Sequence, residues 1–92
     1  MIQSFACAET RALFESRLVK KFASIERAAR RKLLMLQAAS QLSDLRVPPG
    51  NRLESLKGNR FGQFSIRVNQ QWRICFRWAN DGAHDIEIVD YH

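Results

Sequence analysis

The sequence predicts an α+β domain in which helices come first and a mainly antiparallel, curved sheet follows. Two observations carry the prediction. Residues 8–18 and 25–41 contain neither Gly nor Pro, and apolar side chains recur in them at helical spacing. Residues 63–68, 72–78 and 85–91 instead alternate apolar and polar positions with a period of two, and turn residues separate them. Ninety-two residues suffice for one domain spanning 1–92 with a single two-layer core. A chain this short buries a modest share of its surface, so a partner that covers more of it adds stability.

Residues 2–5 are apolar at both ends and predict a brief first strand. Residues 8–18 follow as a helix with Leu13, Phe14 and Leu18 toward one side, and Val19-Lys20-Lys21-Phe22 interrupts the pattern. Ser24 reads as an N-cap, with Glu26 placed in the first turn where it complements the helix dipole. Residues 25–41 are the stronger helix, with Ile25, Ala29, Leu33 and Leu36 on one face. Its basic cluster, Arg27, Arg30, Arg31 and Lys32, reads first as a solvated outer face and second as a docking patch for a nucleic-acid backbone. Pro48-Pro49-Gly50 ends helical structure within the domain.

Three strands then carry most of the sheet, after a short one at residues 53–56. Phe64, Ile66 and Val68 share a face, as do Trp72, Ile74, Phe76 and Trp78. An apolar core face is preserved when Trp78 is set opposite Ile86 and Phe76 opposite Ile88. That register places Arg77 against Glu87 as a surface ion pair. It sets Arg73 opposite Tyr91 with no acidic partner, and His84 falls in the turn.

Fifteen Lys and Arg against nine Asp and Glu give a formal charge of +6, with a sequence pI near 10.2. Such an excess implies a polyanionic partner, nucleic acid or an acidic protein. The charge is also segregated. Arg52, Lys57, Arg60, Arg67, Arg73 and Arg77 lie in a stretch whose one acidic residue is Glu54, whereas residues 78–92 carry Asp81, Asp85, Glu87 and Asp90 with no Lys or Arg. Cys7 and Cys75 are far apart and fit reduced thiols better than a disulfide framework. Neither a signal peptide nor a membrane-spanning stretch is visible, which leads to the expectation of a cytoplasmic protein without membrane association.

The candidate site is Arg73 with the closing Asp90-Tyr91-His92. These residue types suffice for RNA cleavage without metal or cofactor, in which a 2′-hydroxyl attacks the neighbouring phosphate. His and Asp are suitable acid–base groups, Arg matches the charge building on phosphoryl oxygens, and Tyr can stack on an unstacked base. Asp90 and the terminal carboxylate both favour the imidazolium of His92, so His92 reads as the acid and Asp90 as the residue that tunes it. The base stays open, with Glu54 one candidate. Lys57, Arg60 and Arg67 are the candidate RNA-binding residues, against a simpler reading as solubilising charges. No phosphate-binding loop, metal cluster or Ser/Cys triad is present in the sequence.

Asn51-Arg52-Leu53, Leu56-Lys57-Gly58-Asn59-Arg60, Ser65-Ile66-Arg67-Val68-Asn69, Gln71-Trp72-Arg73-Ile74 and the closing Glu87-Ile88-Val89-Asp90-Tyr91-His92 together resemble the HigB-like toxins of the RelE/ParE superfamily. The resemblance spans essentially the whole chain. It implies a RelE-like fold and a ribosome-dependent mRNA endoribonuclease that cuts in the decoding site without metal. It also implies a HigA-like helix-turn-helix antitoxin, and operator DNA contacted indirectly through the antitoxin complex. By position, Arg73 would serve the phosphate, Asp90, Tyr91 and His92 would form the catalytic and base-contacting end, and Lys57 would lie on the RNA-facing surface. Glu54 departs from some relatives of the family, in which His is expected there, so the resemblance does not by itself supply a two-histidine acid–base scheme. The alternatives are a ParE-like poison that inhibits DNA gyrase by binding, and a bare basic nucleic-acid-binding module. Neither needs His92.

Overall fold

The computed structural model describes residues 1–91. Helix α1 (Ala8–Phe14) and helix α2 (Glu26–Ala38) precede four strands, β1 (Glu54–Ser55), β2 (Phe64–Arg67), β3 (Trp72–Ala79) and β4 (Gly82–Asp90). The strands form one sheet in the order β1-β2-β3-β4, with every neighbouring pair antiparallel. Among the described residues no helix is long and apolar enough to cross a membrane.

The core lies between the helices and one face of the sheet. Leu13 from α1, Ala29, Leu33 and Leu36 from α2, and Ile66, Ile74 and Ile88 from the sheet belong to one buried cluster. Ile66, Ile74 and Ile88 are register partners across three strands, so a single row of β-branched side chains meets the helix layer. Phe22 closes the cluster edge-on against Trp72, with ring centroids 5.5 Å apart.

The helix boundaries differ from expectation for local reasons. Helix α1 stops at Phe14 because Ser16 takes a left-handed conformation (φ 66°). The Ser16 amide donates to the Leu13 carbonyl and the Arg17 amide to the Ala12 carbonyl, which is the Schellman closure usually built on glycine. Leu18, expected on the buried side, is consequently 82% exposed. Helix α2 is entered through a 3-10 segment, Lys20–Ile25, and no side chain caps it, so Ser24 is not its N-cap. At its exit Asp44 accepts hydrogen bonds from the Ser40 and Gln41 amides.

Residues 2–5 do not form a strand of their own. Ile2 and Phe5 make isolated parallel bridges to Ala83 and Ile86, so this segment lies as a strap along the free edge of β4. Gly82 (φ 126°) allows it, because a Cβ there would collide with the Met1 backbone.

The β3–β4 register is offset from the expected one by two residues near Trp72, since Ile74 faces Ile88 and Cys75 faces Glu87. A two-residue offset keeps every side chain on its face, so the core pattern is preserved while the pairings change. A β-bulge then intervenes between Cys75 and Arg77, with Asp85 at φ 52°. His84 is therefore a strand residue opposite Arg77, not a loop residue. Arg77 pairs with Asp85 at 3.5 Å, and Glu87 pairs with Arg60 at 3.3 Å instead of Arg77.

Candidate anion-binding cleft

The sheet face opposite the helices carries Ser65, Arg67, Arg73, Cys75 and Glu87, but it is not the open basic surface expected. Cys75 and Ser65 are fully buried, Arg73 is 7% exposed, and Leu56 is buried outside the main core. Burial pushes the Cys75 thiol up. The Arg60 and Arg73 guanidiniums oppose that shift, and the Glu87 and Glu54 carboxylates reinforce it.

At the Trp72 end of this face a cleft of about 270 Å³ remains, lined by Arg52, Arg67, Asn69, Gln70, Arg73 and Tyr91. Arg73 is its most constrained member. Its Nε donates to Ser65 Oγ at 2.8 Å and its Nη2 to the Arg52 carbonyl at 2.8 Å. The same Nη2 lies 3.5 Å from Glu54 Oε1, so Arg73 does have an acidic neighbour. Its guanidinium stands over the Tyr91 ring, 5.4 Å from the centroid. Its register partner is Val89, not Tyr91, and the ring reaches it diagonally. These contacts fix the plane of the guanidinium and leave Nη1 without a protein acceptor among the described residues.

The anchor on the Arg52 carbonyl depends on the loop before β1. Arg52 is left-handed (φ 46°) and follows a single 3-10 turn, Pro49–Asn51, after a cis Val47-Pro48 peptide. Asn51, fully buried, fastens this loop. Its Nδ2 donates to the Leu45 carbonyl at 3.1 Å and to the Val47 carbonyl at 3.4 Å, while its Oδ1 accepts from Lys32 Nζ of α2. Desolvation, with the neighbouring Arg31 charge, lowers the Lys32 pKa. The opposite wall is the β2–β3 turn, where Asn69 Oδ1 accepts from the Gln71 and Trp72 amides at 2.8 Å each, and Arg67 Nε donates to the Asn69 carbonyl at 3.0 Å.

The structure thus brings Arg73 and Tyr91 together and adds Arg52, Arg67, Asn69 and Gln70. Asp90 is not part of the lining. It is the register partner of Trp72 and so projects to the other side of the sheet from Arg73, with Oδ2 accepting from Gln71 Nε2 at 3.0 Å. The expected convergence of Arg73 with Asp90 therefore does not occur within the cleft. His92 lies outside the described residues. Lys57 is exposed on the loop after β1, away from the lining. Arg60 is engaged by Glu87 and by Gln63 Oε1 at 3.1 Å. Sequence reasoning missed Ser65 and Asn51, whose role is to hold other groups. Neither carried a local signal, because the alternation assigns Ser65 to the polar face and Asn51 follows a Pro-Gly break, and only the fold buries them.

Among the described residues, three arginines and no carboxylate line the cleft. Such a site favours an anion with several oxygens, and the planar donor array of a guanidinium matches phosphate better than a lysine would. Half-exposed Tyr91 supplies an aromatic surface beside it.

A family model described as the RelE-like toxin of the type II toxin–antitoxin system HigB matches residues 8–92. The chain is 57% identical over 69 residues to a protein named Toxin HigB-1 from Vibrio cholerae serotype O1, covering 75% of this chain and 72% of that one. It is 44% identical over 41 residues to Endoribonuclease HigB of Proteus vulgaris, covering 45% of each. Among solved structures, the YoeB-YefM complex from Staphylococcus aureus contains a chain that superposes with a TM-score of 0.57 at 17% identity, covering 100% of this chain and 98% of that one. The last likeness establishes a shared fold.

Proposed function

From the premise that this chain belongs to the RelE-like, HigB-like toxins of type II toxin–antitoxin systems, we propose that it is an endoribonuclease that cleaves mRNA in the decoding site of the ribosome without a metal. The Proteus relative is named an endoribonuclease. The observation that carries the reading here is Arg73, buried, held in plane by Ser65 and the Arg52 carbonyl, with Nη1 taken by no acceptor among the described residues of a cleft lined by arginines.

In this reading the scissile phosphate occupies the cleft. Attack by the adjacent 2′-hydroxyl forms a bond to phosphorus and breaks the bond to the 5′-oxygen, so the nucleophile gives one proton to solvent water and the leaving group takes one. Arg73 binds the non-bridging oxygens as their charge grows, and its pre-set plane means that little reorganisation accompanies the reaction. Arg67 and Arg52 neutralise the flanking backbone. Tyr91 stacks on a base. His92 donates the leaving-group proton. Asp90, two residues earlier, favours its charged form. Glu54 ion-pairs Arg73 and so serves to orient it. Lys57 adds to RNA binding, and Arg60, already neutralised by Glu87, contributes least. A HigA-like helix-turn-helix antitoxin neutralises the toxin, and the complex reaches operator DNA through that antitoxin.

The test is induction of wild type, Arg73→Ala and His92→Ala in a bacterial host, with primer extension on an abundant mRNA. Cuts within translated codons in wild type, lost in both variants at equal protein levels, are expected. Growth arrest by all three without codon-linked cuts would overturn the reading in favour of a binding poison such as a gyrase inhibitor.

A further inference from the structure

Between β1 and β2 the chain makes a short 3-10 turn, Gly58–Arg60, which presents an aromatic side chain that the fold does not use. Phe61 is 79% exposed. Its ring has no aromatic or cationic neighbour among the described residues. Gly58 (φ 64°) and Gly62 (φ 91°) bracket it, and the turn is closed by the Phe61 amide donating to the Gly58 carbonyl at 3.0 Å. Phe61 is therefore set on a defined turn. Two cations adjoin the turn, though not the ring itself, and one of them, Arg77, is shared with Asp85. Lys57 is exposed immediately before it, and an Arg77 Nη1 lies 3.1 Å from where a Gly62 Cβ would be. Four residues of β2 separate this turn from the cleft end of the sheet, a distance of roughly 13 Å along the outer face.

Covering an exposed Phe is favourable, so a partner with a matching surface gains by docking there. Two kinds of cover are distinguishable by chemistry. A protein partner needs an apolar patch with aromatic anchors and a surrounding rim, whereas the residues next to Phe61 are Lys57, Gly58, Asn59, Arg60 and Gly62. A nucleobase needs one π-face, with positive charge nearby for its phosphates. The second fits. We propose that Phe61, with Lys57 and Arg77 beside it, is a stacking platform for an unpaired base of single-stranded RNA, outside the cleft on the same strand. This assignment rests on the reading of the chain as an RNA-cleaving toxin and adds a second point of RNA contact to it.

The experiment uses the full chain and a short oligouridylate of about ten residues, with binding followed across a salt series. Phe61→Ala and Phe61→Leu are expected to weaken binding about 5- to 100-fold with the salt slope unchanged. Phe61→Trp should bind at least as tightly as wild type. Lys57→Gln should lower the salt slope by about one. Arg73→Ala, measured in parallel, separates the two ideas. If it weakens binding while Phe61→Ala does not, the platform is refuted and the cleft reading stands. If no form binds RNA at any salt, both fail. Binding by Phe61→Leu equal to wild type would show generic apolar contact and refute stacking. Loss of antitoxin affinity in Phe61→Ala with RNA binding unchanged would assign the ring to a protein interface and refute it too.

Discussion

Removing the Ser65 hydroxyl tests how Arg73 is held. Arg73 is 7% exposed, so protein groups carry most of the solvation of its charge. Of its fixed partners, Ser65 Oγ and the Arg52 carbonyl lie at 2.8 Å, and the half-exposed Glu54 carboxylate at 3.5 Å. A hydrogen bond to a buried charged donor contributes about 1.5–3 kcal/mol, because its loss leaves an N–H without water or protein. An ion pair open to solvent on one side contributes under about 1 kcal/mol. Ser65→Ala is therefore expected to cost about 2 kcal/mol, and Glu54→Gln under about 0.5 kcal/mol. In urea unfolding followed by tryptophan fluorescence, with a slope of about 1 kcal/mol per M for a chain of this size, the midpoints fall by roughly 2 M and under about 0.5 M. The control is an Arg73→Met background, in which no guanidinium is left to satisfy and Ser65→Ala should cost almost nothing. An equal fall in both backgrounds, or a larger effect of Glu54→Gln, would refute the assignment of Ser65 as the principal anchor.

Asn51→Ala is expected to cost about 2–3 kcal/mol, since it orphans the Leu45 and Val47 carbonyls and the Lys32 ammonium together. Because the same loop presents the Arg52 carbonyl, RNA cleavage should fall more than a surface control of equal stability, and parity with that control would count against the linkage. Asp44 accepts hydrogen bonds first from the Gln41 amide and then from the Ser40 amide, and these hold its carboxyl below the usual carboxylate range. Its folded pKa is depressed, so its contribution is present above the ordinary Asp pKa of about 3.9 and is lost as pH falls through the lower folded value. A pH titration of stability should show a shallower acid limb in Asp44→Asn, and an unchanged limb would contradict the capping role. The chain holds two cysteines, Cys75 buried with its thiol pushed up and Cys7 partly accessible. An aromatic disulfide reagent should label Cys7 in the native protein and Cys75 only on unfolding, and two fast thiols would mean that the segment over Cys75 opens readily.

How legible this chain was from its residues alone depended on whether the deciding interaction was periodic or singular. Alternation in 63–68 and 72–78 assigned Ile66 and Ile74 inward and Arg67 and Arg73 outward, and helical spacing assigned Ala29, Leu33 and Leu36 to the core. The assignments to faces hold, because a period of two or 3.6 is set by backbone geometry wherever the segment lies, but Arg73 is buried on its face instead of open to solvent. The terminal Asp90-Tyr91-His92 and the basic run from Arg52 to Arg77 carried the resemblance for the same reason, being contiguous in sequence. Tertiary structure decided what repeats do not encode. A two-residue register offset set Glu87 opposite Cys75, within reach of Arg60, and a bulge beyond it set Arg77 opposite His84 and beside Asp85. Ser16 ended α1 in a conformation that glycine usually supplies. The cleft is held where Lys32 meets Asn51, the next residue Arg52 offers its carbonyl to Arg73, and Arg73 meets Ser65, contacts between segments distant in sequence. Its members are recognisable only in contact, because each holds its geometry through a partner that no local pattern specifies.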